Sequence, residues 1–254
     1  MKKFHFIFDK TKKAKVIKKF FSQKFKNFSP NFANVIIIAG GDGFMLHNLK
    51  KYYKFQKPFY GINCGTFGFL MNKYSYKGLE KKIINSKKIT INPLKINSTD
   101  INQKKKVSIA INEISLFRQS KQTANLSLKI GKKIIIKKLI GDGVLVSTPA
   151  GSTAYNLSIS GPILSLNSGK LAVTPISPFR PRRWKGKIVS NSTKIEINNL
   201  NPNKRPVAAV ADNLEMRNIK SIVVKINKKI KLDLLYDSEN SLVKRIKLEQ
   251  KRKK

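Results

Sequence analysis

The run Val35-Ile36-Ile37-Ile38-Ala39-Gly40-Gly41-Asp42-Gly43 decides how the rest of the chain is read. Its apolar residues predict a buried strand, and the glycines around one acid predict a tight turn directly after it. Phe44-Met45-Leu46-His47-Asn48-Leu49 can then begin a helix, which sets Asp42 between strand end and helix start. In an open α/β sheet that is where ligands bind, because backbone N–H groups at a helix start can face a phosphate. The acid is out of place there. A carboxylate repels a phosphate unless it does a job, such as taking a proton or holding a metal.

Outward from that run, residues 1–90 alternate in type. Phe4 to Phe8 reads as a strand, and Lys10 to Phe25 as a basic amphipathic helix with apolar Val16, Ile17, Phe20 and Phe21. Pro58 to Asn63 reads as a third strand, ending in the Gly-rich stretch Cys64 to Leu70, with a helix from about Ser75 to Ile84. Strands alternating with helices predict an α/β domain built on a parallel sheet. Over residues 91–236 the texture changes to short β-branched runs separated by Asn, Gly and Lys. These are Ile91–Ile96, Val107–Phe117, Leu126–Ile130, Lys133–Ile140, Val144–Ser147, Lys194–Ile197, Val207–Ala211, Ser221–Ile226 and Lys229–Tyr236. They predict a β-rich, sandwich-like second domain. Residues 237–254 form a C-terminal segment with weak helical periodicity over Ser241–Leu248 and a basic tail.

The chain of 254 residues carries 53 basic and 13 acidic side chains, a formal charge of +40. That charge raises a nucleic-acid or anionic-membrane binder as one class. However, Lys is scattered throughout a chain also rich in Ile and Asn, and basic residues cluster strongly only from Lys244 to Lys254. Compositional bias is the simpler reading, so neither a specific nucleic acid nor a membrane is expected as a partner. A positive surface also suits a small polyanion such as a nucleotide. One cysteine, Cys64, excludes an internal disulfide framework and a cysteine-rich zinc site. No apolar segment approaches the ~18 residues of a membrane span, and the N-terminal apolar stretch is too short for a signal peptide. The expected compartment is the cytoplasm.

A second Gly-acid-Gly, Gly141-Asp142-Gly143, leads into Val144-Leu145-Val146-Ser147-Thr148-Pro149-Ala150-Gly151-Ser152-Thr153-Ala154-Tyr155. Gly permits close backbone approach, Ser and Thr offer donors, and Tyr offers a face for a base. Leu157 to Ser160 starts a helix in this reading, with Ser152 and Thr153 at its N-terminal end. Asn112-Glu113 interrupts a β-branched run, where a charge is costly to bury unpaired. An outward-facing strand residue is the plainer account of Glu113. The phosphate-binding P-loop and the dinucleotide G-x-G-x-x-G fingerprint are both missing, and two isolated histidines, His5 and His47, do not make a metal site.

Taken together, these pieces resemble the NAD kinases, which use ATP to phosphorylate NAD to NADP, and most closely their compact alphaproteobacterial-type members. Gly40-Gly41-Asp42-Gly43 is similar to the family's GGDG motif, which lipid kinases share; Asn112-Glu113 matches its NE motif. Gly61-Ile62-Asn63 with Gly65 and Gly68-Phe69-Leu70 resembles its Gly-rich segment, and Gly141 to Tyr155 its most specific signature. Gly161-Pro162-Ile163 and Ser177 to Trp184 extend the match; Asn156 departs from the Ser common after that tyrosine.

The resemblance implies that Asp42 is the catalytic base toward the 2′-hydroxyl of the adenosine ribose, with Gly41 and Gly43 leaving room for the triphosphate and Mg²⁺. It implies ribose contacts from Asn112 and Glu113, and a nicotinamide frame from Asp142 and Ala150. Thr153, Ala154, Tyr155, Asn156, Leu157 and Ser158 would line adenine and ribose, and His47 would touch NAD. Ser177, contributed across a subunit contact, and Asn213 match weaker positions. It further implies a cleft between the two domains and assembly as a homodimer or homotetramer.

Overall fold

The computed structural model describes residues 3–65, 68–74 and 78–237. Ser75, the segment Ser241–Leu248 and the basic tail lie outside them. The chain forms two compact units: residues up to Ile91 together with those from Ile230 on, and Asn92–Lys229.

In the first unit, β1 (Phe4–Phe8), β2 (Val35–Gly40) and β3 (Phe59–Asn63) pair in parallel, with Phe4 opposite Val35 and Gly40 opposite Asn63. β2 is buried along its whole length, and Ile36, Ile37 and Ile38 are fully shielded from solvent. Each such side chain contributes roughly 1.5–3 kcal/mol by leaving water, so the central place of this strand follows from its composition. Helix α1 (Lys12–Lys24) starts at Thr11, whose hydroxyl accepts the Ala14 N–H. It buries Ala14, Ile17 and Phe21, a 3-4 spacing that makes one stripe. Val16, expected on the apolar side, is 57 % exposed because it falls off that stripe. Helices α2 (Asp42–Tyr52) and α3 (Leu79–Ile84) and strand β4 (Lys87–Ile91) complete the N-terminal part.

The last strand, β17 (Leu232–Tyr236), lies between β3 and β4, parallel to the first and antiparallel to the second. The sheet is therefore mixed, in the order β1-β2-β3-β17-β4. Assigning the run Lys229–Tyr236 to the β-rich part is a misreading, because alternation shows that a strand exists but not which sheet it joins. β17 is locked by distant partners: Asn72 donates to Leu235 O at 2.8 Å, and the Tyr60 hydroxyl donates to Asp237 at 2.8 Å.

The second unit is a sandwich of two antiparallel sheets. One contains β5 (Leu94–Asp100), β6 (Lys105–Ala110), β8 (Ala124–Ile130), β9 (Lys133–Gly141), β13 (Ile195–Asn199) and β16 (Ile219–Ile226). The other contains β7 (Glu113–Arg118), β10 (Gly143–Ser147), β11 (Lys170–Ile176), β12 (Lys187–Ser190), β14 (Val207–Ala211) and β15 (Leu214–Met216), in the order β12-β11-β10-β7-β14-β15. Their inner faces share one core that includes Leu94, Ile96, Leu116, Val144, Val146 and Ile197. Two expected runs are divided. Ile91–Ile96 breaks at Asn92-Pro93, where proline has no N–H for a ladder, and Val107–Phe117 breaks at Ile111-Asn112. No described helix is long and apolar enough to cross a membrane.

Candidate active site

In the first unit, Gly41 caps α2 and Asp42 is its first helical residue, where a negative charge is favoured by the helix dipole. The glycines around Asp42 differ in purpose. A methyl on Gly40 would come within 2.5 Å of the Phe44 ring, whereas at Gly41 or Gly43 it would meet nothing within 4 Å. The first glycine serves packing, and the other two leave open space beside the acid. Asp42 is held by the stretch after β3: Oδ2 accepts the Phe69 N–H at 2.7 Å and Oδ1 the Leu70 N–H at 3.2 Å. Cys64 N–H donates to Gly40 O at 2.8 Å, tying the two Gly-rich stretches together at their roots. Thr66 and Phe67 of the second stretch lie outside the described residues. His47 is exposed on α2, away from the buried stripe of Met45, Asn48 and Leu49.

In the second unit, the break between β6 and β7 carries Asn112-Glu113. The chain around Gly151 is fitted against it: an added methyl there would sit 2.2 Å from Asn112 O, so only glycine allows this approach. Thr148 reinforces the contact, its N–H donating to Asn112 O at 2.9 Å and its hydroxyl to Ile111 O at 2.7 Å. The Ser147 hydroxyl donates to Thr148 O at 2.9 Å, and that of Ser152 donates to Pro149 O at 2.7 Å while accepting the Leu164 N–H at 3.0 Å. These hydroxyls, taken from the sequence as donors for a ligand, are spent on the fold. The same holds for the Asn156 side chain, which is fully buried. Its amide donates to Pro162 O at 2.9 Å and Ser152 O at 3.3 Å, and its carbonyl accepts the Thr174 hydroxyl at 2.7 Å. The expected helix is only one turn, α4 (Tyr155–Ser158), after a 3₁₀ turn over Gly151–Thr153.

Asp142 is the single residue linking β9 to β10, and so one sheet to the other. It is bound by Arg118: Nε donates to Oδ1 at 2.5 Å and the Arg118 N–H to Asp142 O at 2.9 Å. Tyr155 is 39 % exposed. Its phenol is pushed above the usual tyrosine range by partial burial first, then by the Asp142 and Glu113 charges. Glu113, Ser115, Phe117, Arg118, Tyr155 and Asp212 line a cavity of about 440 Å³. It occupies the outer face of the second sheet: Ser115 and Phe117 alternate outward on β7, opposite Val210 and Ala208 of β14.

Among the expected residues, Glu113 and Tyr155 thus meet around one cavity, with Asp142 close enough to act on Tyr155. Asn112 adjoins them, and its Oδ1 is buried without a hydrogen-bond partner among the described residues. Ala150 and Thr153 are buried, Ala154 and Leu157 half-buried, and Ser158 exposed. Ser177, at a φ of 45°, lies beside Gly141, its carbonyl 2.9 Å from where a methyl on that glycine would sit. Asn213 is exposed in the turn between β14 and β15. Sequence reading missed Arg118, which has no local signal, and Asp212, whose place after the run Val207–Ala211 marks only a turn acid.

Residues 2–83 match the family model described as the ATP-NAD kinase N-terminal domain, and residues 111–231 its C-terminal domain. A protein of Zymomonas mobilis named NAD kinase is 46 % identical over 220 residues, covering 86 % of this chain and 85 % of its own. One from Rhizobium meliloti, with the same name, is 45 % identical over 221 residues, covering 87 % and 86 %. A crystal structure of yeast NADH kinase complexed with NADH shares the fold, with a TM-score of 0.77 at 24 % identity over 94 % of this chain and 78 % of that one.

Proposed function

The chain belongs to the ATP-NAD kinase family, and from that membership we propose how its own residues divide the work. The reaction is transfer of the γ-phosphoryl group of ATP to the 2′-hydroxyl of the adenosine ribose of NAD, giving NADP. Asp42 is the catalytic residue. The observation that carries this role is its anchorage: two backbone N–H groups fix the carboxylate beside glycines that face open space. A carboxylate offers about four lone-pair sites, so an anchored Asp42 can still accept from a ribose hydroxyl. Phosphoryl transfer through a loose transition state asks for orientation more than for early deprotonation, which a carboxylate held in place supplies.

Asn112 and Glu113 take the ribose hydroxyls of NAD; a hydroxyl donor would satisfy the buried Asn112 Oδ1. Tyr155 supplies a ring for stacking, with Thr153, Ala154 and Leu157 beside it in the chain. Asn156 contributes through its backbone alone, since its side chain is committed. Asp142 frames the nicotinamide half together with Ala150, and its charge is offset by Arg118. His47, Ser158, Ser177 and Asn213, all exposed, complete the contacts to the nucleotide. Ser177 acts across a subunit contact in a homodimer or homotetramer, and the enzyme works in the cytoplasm.

Mg²⁺ enters as part of the ATP substrate, bound mainly by its phosphates as is usual for this ion. Among the described residues no group of three or more His, Cys, Asp or Glu forms a protein-built cage for it.

The test is incubation of the purified chain with ATP, Mg²⁺ and NAD, with NADP measured enzymatically. Wild-type chain makes NADP, and Asp42→Asn lowers the rate by about 10²–10⁴-fold, the usual worth of a positioned acid–base group. No NADP from the wild-type chain ends this reading; unchanged turnover in Asp42→Asn ends the role of Asp42.

A further inference from the structure

Asp212 is the first residue of the turn joining β14 to β15, where Ala211 pairs with Leu214. Its φ is 53°, a left-handed conformation that Asp and Asn tolerate better than other side chains. From that position its carboxylate reaches a segment about 100 residues away. Oδ2 accepts the Ile111 N–H at 2.9 Å, and Oδ1 accepts those of Asn112 at 2.9 Å and Glu113 at 3.4 Å. The Asp212 N–H in turn donates to Glu113 O at 3.1 Å.

One side chain thus gathers three successive donors at the bend between β6 and β7, while Thr148 takes two of the bend's carbonyls from the other side. The consequence is specific. A bend whose backbone groups are paired this way does not need the Asn112 and Glu113 side chains for its own shape. Charge-assisted bonds from N–H to carboxylate are about twice as strong as neutral ones, so the bend is held stiffly.

We propose that Asp212 is the positioning residue of the acceptor-nucleotide site: it sets, through the backbone of Asn112 and Glu113, where those two side chains stand. This rests on the reading of Asn112 and Glu113 as ribose-binding groups. Asp212 does no chemistry itself, and nothing in this role involves the phosphoryl donor.

The experiment compares KM for NAD, KM for ATP and kcat in wild type, Asp212→Asn and Asp212→Gly. Asparagine keeps the size and tolerates the backbone conformation but replaces one accepting oxygen by an amine that cannot accept. Glycine keeps the conformation and removes both acceptors. The expected result is a rise in KM for NAD of about tenfold in Asp212→Asn, the effect of one lost charge-assisted bond. The rise is larger in Asp212→Gly, and KM for ATP stays within about twofold in both. Asp212→Glu, which retains the charge on a longer arm, answers the same question if Asp212→Asn does not fold. A second arm places Asp212→Asn in a Glu113→Gln background, where its effect on KM for NAD must shrink, since coupled residues are not additive. A fall in melting temperature with both KM values unchanged would make Asp212 merely structural and overturn the proposal. So would full additivity with Glu113→Gln. Absence of NADP from the wild-type chain is a different failure, that of the kinase reading itself.

Discussion

Arg118 grips Asp142 twice, through its side chain at 2.5 Å and through its backbone N–H at 2.9 Å, where the chain crosses from one sheet to the other. A third bond, from Arg118 to Ser120 O at 2.7 Å, steadies the guanidinium. The side chains retain 32 % and 27 % exposure, so solvent screens the pair and it is worth about 1 kcal/mol rather than the value of a buried pair. A double-mutant cycle of Arg118→Ala and Asp142→Asn in urea unfolding should return a coupling of that size, and 0.5 M salt should lower it. Coupling indistinguishable from zero at low salt would show that the two residues act independently.

Gly151 and Gly43 give opposite expectations for the same substitution. Gly151→Ala places a methyl 2.2 Å from a backbone oxygen of Asn112, so it should cost about 3 kcal/mol or prevent folding. Gly43→Ala meets nothing within 4 Å and lies in the first turn of α2, so stability should hold or rise by up to about 1 kcal/mol. If Gly43 leaves room for ATP as proposed, that variant should nonetheless lose activity. Thermal unfolding alongside the NADP assay separates the two cases.

Burial, reinforced by its bond to Asp237, raises the Tyr60 phenol far above the usual tyrosine range. The native state therefore keeps a proton that the unfolded chain releases near pH 10. Its stabilising contribution is fully present below that pH and is lost as pH rises above it. Tyr60→Phe should lower stability at neutral pH by about 1–2 kcal/mol and flatten the decline of stability between pH 9 and 11. Parallel curves for the two proteins, followed by circular dichroism, would contradict this.

Asn156→Ala removes three bonds inside the fold and leaves the Thr174 hydroxyl and the Pro162 carbonyl without that partner. A loss of about 2–4 kcal/mol is expected. At a temperature where the variant is folded, its KM for NAD should stay close to the wild-type value. A large selective rise in KM without destabilisation would return the side chain to the ligand.

Local chemistry made much of the fold legible. Five adjacent apolar residues ending in glycines read as a shielded strand, and β2 is that strand, although the turn expected after it is only the Gly41 cap of a helix that starts at Asp42. Helix α1 was legible as an amphipathic segment through Ile17 and Phe21, although Val16, read as part of its apolar side, faces solvent. At Gly151 the sequence announced close approach, without saying what would approach. Asp42 was marked by its isolation among glycines, and Asn112-Glu113 by a charge inside an apolar run.

The remainder depended on pairings over long separations, for which sequence carries no local sign. The chain's own order put Leu232–Tyr236 beside the sandwich strands, yet that strand completes the first sheet, because its partners Tyr60 and Asn72 lie far upstream. The hydroxyls after β10 read as ligand donors until their backbone acceptors were known. Asp212 and Arg118 were ordinary charged residues until folding brought one to the bend at Asn112 and the other to Asp142. Sequence by itself marked many of the segments that become strands and helices, though neither β11 nor β12, and it marked which family's motifs they carry, since both signals reside in neighbouring residues. Only the tertiary structure decided which polar groups hold the fold and which remain for a ligand, because a hydrogen bond is used or left over according to what stands within 3 Å of it in space.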